Sequence, residues 1–290
     1  MIIDCHSHFW TSSFMEPQWI DQMARIKDNS RTGARLDVSV DKYLAGQAGA
    51  NASIIFGMRA SASGIMVPND DVAKFVTDVG PSAVGFMSLD PREAGALEEM
   101  ERAAQDLQLR GIKLGSPYQG TSPLDPRMMR IFAHASTLGL PILIHQGAVF
   151  VTTGRLADAN PIMIDDVALA FPKLKIIIAH MGHPWVAETT VVMRRHPNVF
   201  TDISALCHRP SILMTALAAA KEYGVLDRVL FGTDFPIATV EGTISAVTRI
   251  VKQMELVYPG TISPEELHAL FHRPTFDLLE LDFPKENYRV

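Results

Sequence analysis

Short apolar runs rich in isoleucine and valine recur along this chain, about every 25–35 residues after the first. That rhythm constrains the fold more than any other feature. The runs cover 2–6, 53–57, 83–88, 111–114, 141–145, 176–180, 199–203 and 228–234, and most close on a polar residue or a glycine. Their length and composition suit parallel strands buried on both faces. The stretches between them carry helical spacing. Over 92–109, Leu97, Met100, Ala104 and Leu107 fall on one side. The stretch 126–138 ends at Gly139-Leu140-Pro141, a helix stop. The pattern continues over 162–171, 185–196, 211–223 and 240–257. The stretch 264–279 opens with an N-cap, a proline at N1 and an acidic first turn in Ser263-Pro264-Glu265-Glu266. Eight strands alternating with helices predict an α/β protein built as a (β/α)8 barrel. A doubly wound open sheet is the rival, but no glycine-rich phosphate loop follows any run.

All 290 residues fit one such barrel as a single domain. One segment breaks the rhythm. The insertion 9–50 separates the first two runs, and its front half, 9–35, mixes Phe9, Trp10, Phe14, Met15 and Trp19 with polar residues. On a barrel it lies at the C-terminal face, either as packed covering or as a lid over the site. The net charge is −6 and no long basic run appears, so nucleic acid is not an expected partner. Two cysteines, Cys5 and Cys207, cannot form a disulfide framework. Met1 leads straight into Ile2-Ile3 without a signal-peptide pattern, and no stretch of ~18 apolar residues occurs. A cytoplasmic protein without a membrane partner is the expectation.

The chemistry begins at Asp4-Cys5-His6-Ser7-His8. Strand alternation puts Asp4, His6 and His8 on one face and Cys5 and Ser7 on the other. Two imidazoles two residues apart at a strand end can reach one metal ion. His145 ends the fifth run, His180 the sixth and Asp234 the eighth. In a parallel barrel these ends converge on the face that carries active sites. Imidazoles with one carboxylate suit one divalent metal ion, zinc first, with manganese, iron or cobalt as alternatives. Lys113 sits at the end of the fourth run, in Gly111-Ile112-Lys113-Leu114. Arg59, Arg155 and Arg209 fall on loops of the same face, where each can clamp a substrate carboxylate. Trp185 is placed to wall the pocket. His183 reads as a loop-capping residue, and Cys5 and Cys207 as packing residues.

Asp-Cys-His-Ser-His at 4–8, Leu-Ile-His-Gln-Gly at 143–147, Ile-Ile-Ala-His-Met-Gly-His-Pro-Trp at 177–185 and Leu-Phe-Gly-Thr-Asp-Phe-Pro at 230–236 together resemble the amidohydrolase superfamily. The resemblance is strongest to the amidohydrolase-related branch that includes aminocarboxymuconate semialdehyde decarboxylase, and it runs through nearly the whole chain. It implies a distorted (β/α)8 barrel with one metal, usually zinc. It further implies that His6, His8, His145 and Asp234 are ligands, that His180 is the catalytic histidine, and that the protein pairs as a homodimer. Two-metal members carry a carbamylated lysine on the strand of Lys113; one metal and a free Lys113 ammonium are expected here. Resorcylate-type decarboxylases tend to have Glu-x-His where this chain has His6-Ser7-His8.

The function expected is a metal-dependent hydrolase of a small anionic substrate such as a lactone or amide, with His180 and Asp234 handling protons and His180 titrating in the neutral range. The alternative is a non-oxidative decarboxylase of a small aromatic or unsaturated acid. A non-catalytic metal-binding protein is the third reading.

Overall fold

A computed structural model describes residues 1–24 and 37–289. The part of the insertion at 25–36 lies outside the described residues. Among the described residues, eight parallel strands form one sheet: β1 (Ile3–His8), β2 (Ala52–Phe56), β3 (Ala83–Ser88), β4 (Ile112–Leu114), β5 (Ile142–Ile144), β6 (Ile176–Ile178), β7 (Val199–Asp202) and β8 (Val229–Leu230). Each pairs with its neighbour in sequence. The chain after β8 then reaches back to β1. Cys5 N–H donates to Phe231 O at 3.0 Å, Asp234 N–H to His6 O at 2.8 Å, and His8 N–H to Phe235 O at 2.8 Å. Those bonds bring the barrel nearly to closure, and all eight sequence runs fall on its strands.

The first strand departs from simple alternation. Asp4 is opposite Ser53, but Ser7 is opposite Ile55 and His8 opposite Phe56, so β1 carries one extra residue between Asp4 and Ser7. A bulge re-aims the side chains that follow it. Cys5 packs in the apolar barrel interior with Ile3, Ile54 and Leu230. Asp4 instead accepts from Gln47 Nε2 (2.7 Å), beyond the sheet, and from Thr233 Oγ1 (2.6 Å). Asp4 therefore does not share a face with His6 and His8, as strict alternation predicts; the extra residue breaks the period of two.

Helices cover the outside. The back of the insertion contributes to that layer. The helix Val40–Gly46 starts at a Ser39 cap and buries Tyr43, whose hydroxyl bonds Ser7 Oγ (2.7 Å) and Ser53 Oγ (2.8 Å). The stretch expected as one helix over 264–279 is two, Pro264–Phe271 and Thr275–Leu278. Pro274 lacks the N–H needed to continue the first. Phe276 and Leu279 then pack into the barrel interior. Both cysteines are buried and free. Among the described residues no helix is long and apolar enough to cross a membrane.

Candidate active site

The strand ends deliver a cluster of buried polar groups to one face. Asp234 Oδ1 lies 3.1 Å from His8 Nε2 and 3.3 Å from His6 Nε2. Ligating atoms of His6, His180 and Asp234 all lie within 4.8 Å of one another. The His180 ring stacks on His6 at 4.7 Å between centroids, and His145 meets His180 edge-on at 5.1 Å. His145 therefore stands beside this trio, next to Tyr118 (4.9 Å).

Hydrogen-bond partners assign the ring nitrogens. His6 Nδ1 donates to the Asp202 carboxylate at 2.9 Å, which leaves the lone pair on Nε2. His180 Nδ1 lies 3.1 Å from Ser204 O, and a carbonyl can only accept, so its lone pair is also on Nε2. His145 Nε2 donates to Ala148 O at 3.1 Å and leaves Nδ1 to accept. His8 Nδ1 is buried without a partner.

A lone pair on His6 Nε2 thus faces a carboxylate oxygen, acceptor against acceptor, and a positive charge beside them offsets the repulsion, as the Lys113 ammonium does 3.2 Å from that nitrogen and a divalent ion between the two would. Two atoms each about 2.1 Å from one tetrahedral ion sit about 3.4 Å apart, close to the 3.1 and 3.3 Å found here. The residues present fit a divalent ion.

Burial governs the charges. It lowers the pKa of His6, His8 and His145, and pushes His180 down to about 3 against the opposing pull of Asp234. Burial therefore holds the imidazoles neutral at neutral pH in the metal-free chain. Burial alone would raise Asp202 and Asp234. Contacts with His6 for Asp202 and with His180 and His8 for Asp234 hold both well below the usual carboxylate range. Lys113 is buried, with Nζ 3.2 Å from His6 Nε2 and 4.6 Å above the Phe56 ring. Burial lowers its pKa to about 8.

The backbone is strained where these groups sit. His180 (φ 56°), Met181 (φ 50°) and Asp234 (φ 62°) adopt the left-handed region, at a cost of order 1–3 kcal/mol each. His180 N–H is anchored on Asp202 Oδ1 at 3.0 Å, and Asp234 N–H on His6 O. Gly232 allows close approach: a Cβ there would meet His6 Cβ at 2.9 Å and Ser204 Cβ at 3.2 Å.

Above the cluster lies a cavity of about 430 Å³. Trp10, Trp19 and Met23 bring the insertion into its wall. Trp10 stacks on His8 at 4.6 Å, and Trp19 packs against Phe150 at 5.0 Å and Tyr118 at 5.6 Å. Lys113 and Arg209 line the cavity with His8, His145, His180 and Asp234. Arg59, Arg155 and Trp185 are not among its lining residues. Arg59 is paired with Glu93 at 2.7 Å, Arg155 is exposed before the turn Leu156–Ala159, and Trp185 precedes the helix Val186–Arg195.

His183, expected as a loop cap, lines the cavity, as does Tyr118. Asp202 and Ser204 also join the cluster, on His6 Nδ1 and His180 Nδ1. Asp202 closes β7, and the strand-end rule that picks out His145, His180 and Asp234 applies to it equally. Tyr118 sits in a loop with no such marker.

A family model described as "Amidohydrolase" matches residues 3–273. Among solved structures, 5-carboxyvanillate decarboxylase from Sphingomonas paucimobilis is 16% identical with a TM-score of 0.68, covering 97% of this chain and 99% of that one. A dihydroxybenzoic acid decarboxylase from Polaromonas sp. JS666, solved with bound manganese and 2-nitroresorcinol, is 18% identical with a TM-score of 0.67 (99% and 98% covered). A probable 2-pyrone-4,6-dicarboxylic acid hydrolase from Acinetobacter baumannii, with citric acid bound, is 13% identical with a TM-score of 0.63 (93% and 99%). These likenesses share the barrel, and with a family match over nearly its full length this chain belongs to the amidohydrolase family.

Proposed function

We propose that this protein is a metal-dependent hydrolase of a small, flat, anionic carbonyl compound such as a lactone, with one divalent ion per chain held by His6, His8, His145 and Asp234. The observation that carries it is His180: a buried, neutral imidazole whose Nδ1 is committed to Ser204, so that Nε2 is left to accept a proton beside Asp234. When bound, the ion polarises the scissile carbonyl and acidifies water. His180 Nε2 takes the proton of the attacking water and returns it to the leaving group, and the ionised Asp234 beside it stabilises the imidazolium in between. Lys113 and Arg209 bind the negative charge of the substrate. Trp10, Trp19, Tyr118 and Phe150 hold its flat body and exclude bulk water. Zinc is the first expectation for the ion, with manganese next, since a similar fold was solved with it. A cytoplasmic homodimer goes with this reading, and light scattering on the purified chain checks the pairing.

Decarboxylation is the second reading, favoured by the aromatic walls and by the decarboxylases that share the fold. Metal analysis coupled to a screen of lactones, pyrones and aromatic acids tests both. A ring-opened acid supports hydrolysis, carbon dioxide supports decarboxylation, and neither overturns both. His180→Ala is expected to keep its metal while kcat falls ~10²–10⁴-fold. His145→Ala is expected to lose metal and activity together. Equal loss of metal in the two would make His180 a ligand.

A further inference from the structure

One buried carboxylate serves two of the site histidines, and the mechanism above makes no use of it. Asp202 is fully buried at the end of β7. Its Oδ2 accepts from His6 Nδ1 at 2.9 Å. Its Oδ1 accepts from the backbone N–H groups of His180 and Ser204, both at 3.0 Å, and from the Ser204 hydroxyl. His180 Nδ1 is 3.9 Å from Asp202 Oδ1, too far for a direct bond. It lies 2.7 Å from Ser204 Oγ instead. The hydroxyl proton is committed to Asp202, so the hydroxyl oxygen accepts from His180. The same Oγ is 3.1 Å from His6 Nδ1.

We propose that Asp202 and Ser204 are positioning residues: one shared carboxylate fixes the tautomer of His6 directly and, through the Ser204 hydroxyl, the ring of His180. Every group that reaches Asp202 is a donor. Only an ionised carboxylate satisfies them all, because an amide turns an N–H₂ toward at least one of them. With Nδ1–H held by Asp202, His6 must offer Nε2 to the cavity side. Fixing the ring and tautomer of a ligating imidazole through its other nitrogen is worth ~10–100-fold in metal affinity. The inference rests on His6 being a ligand, but the tautomers exist without metal or substrate.

The test uses the metal-free full-length chain with ¹⁵N-labelled histidine at neutral pH, assigned with His6→Gln and His180→Gln. Both histidines are expected as the Nδ1–H tautomer in the wild-type protein. Asp202→Asn is expected to turn His6 to Nε2–H and to weaken Zn²⁺ or Mn²⁺ binding ~10–100-fold in a direct titration. Ser204→Ala is expected to leave His6 and metal affinity unchanged while moving the His180 Nδ1–H proton upfield, and Ser204→Thr to restore it. An Nε2–H tautomer at either histidine in the wild type overturns the proposal, as does a folded Asp202→Asn that binds metal like the wild type. If Asp202→Asn does not fold, the wild-type tautomers and the Ser204 pair decide. A protein that turns over none of the screened compounds, yet shows these tautomers, fails the functional reading alone.

Discussion

Five strands of the barrel each contribute an apolar residue to the lower interior and, a few positions on, a polar one to the upper. Ile3 precedes His6, Leu143 precedes His145, Ile177 precedes His180, Phe200 precedes Asp202 and Leu230 precedes Asp234. The lower residues form one apolar cluster with Phe276 and Leu279 of the C-terminal segment. The upper layer buries neutral imidazoles, two ionised carboxylates and a lysine, with left-handed backbone at two of them. The same strands thus supply stability at one end and spend part of it at the other, where chemistry needs preorganised polar groups.

The largest effect belongs to the upper layer. Asp234→Asn is expected to release the metal and to remove several kcal/mol of transition-state stabilisation, a loss of ~10³-fold or more in kcat, with little change in melting temperature. Elemental analysis and calorimetry separate the two. Phe276→Ala is the converse. It opens a cavity in the lower cluster and is expected to cost ~3–5 kcal/mol in denaturant unfolding while metal content stays at one per chain. A drop in metal content would show that the layers are not independent.

Lys113 sits at the boundary. Burial lowers its pKa from 10.5 to about 8, so between those values the unfolded chain binds the proton and the folded chain does not. Stability of the metal-free protein therefore rises with pH across that window and carries the full penalty below it, about 3 kcal/mol. In Lys113→Met that rise is expected to vanish; a stability curve that still climbs from pH 8 to 10.5 would mean the lysine is not the source. The smallest effect is at the rim. Arg209→Ala is expected to raise KM for an anionic substrate ~10–150-fold, the ~1.5–3 kcal/mol worth of a charged hydrogen bond, with kcat nearly unchanged.

The sequence alone was enough for the barrel and for the face that gathers its histidines, because strand ends in a parallel barrel converge and polar residues closing apolar runs are visible without coordinates. Periodicity also located the eight strands to within a few residues. It missed the bulge in β1, since one extra residue leaves no mark in the apolar pattern yet moves Asp4 off the face of His6 and His8. Arginines showed the same limit: Arg59, Arg155 and Arg209 look alike as loop residues, and only the packed structure sends Arg59 to Glu93 and Arg209 to the cavity. The charge of His180 was equally beyond the sequence, because desolvation depends on everything that surrounds the ring. Local pattern determines which side chains can reach the face; only tertiary packing decides which nitrogen carries the proton, which cation is already paired and which wall the substrate meets.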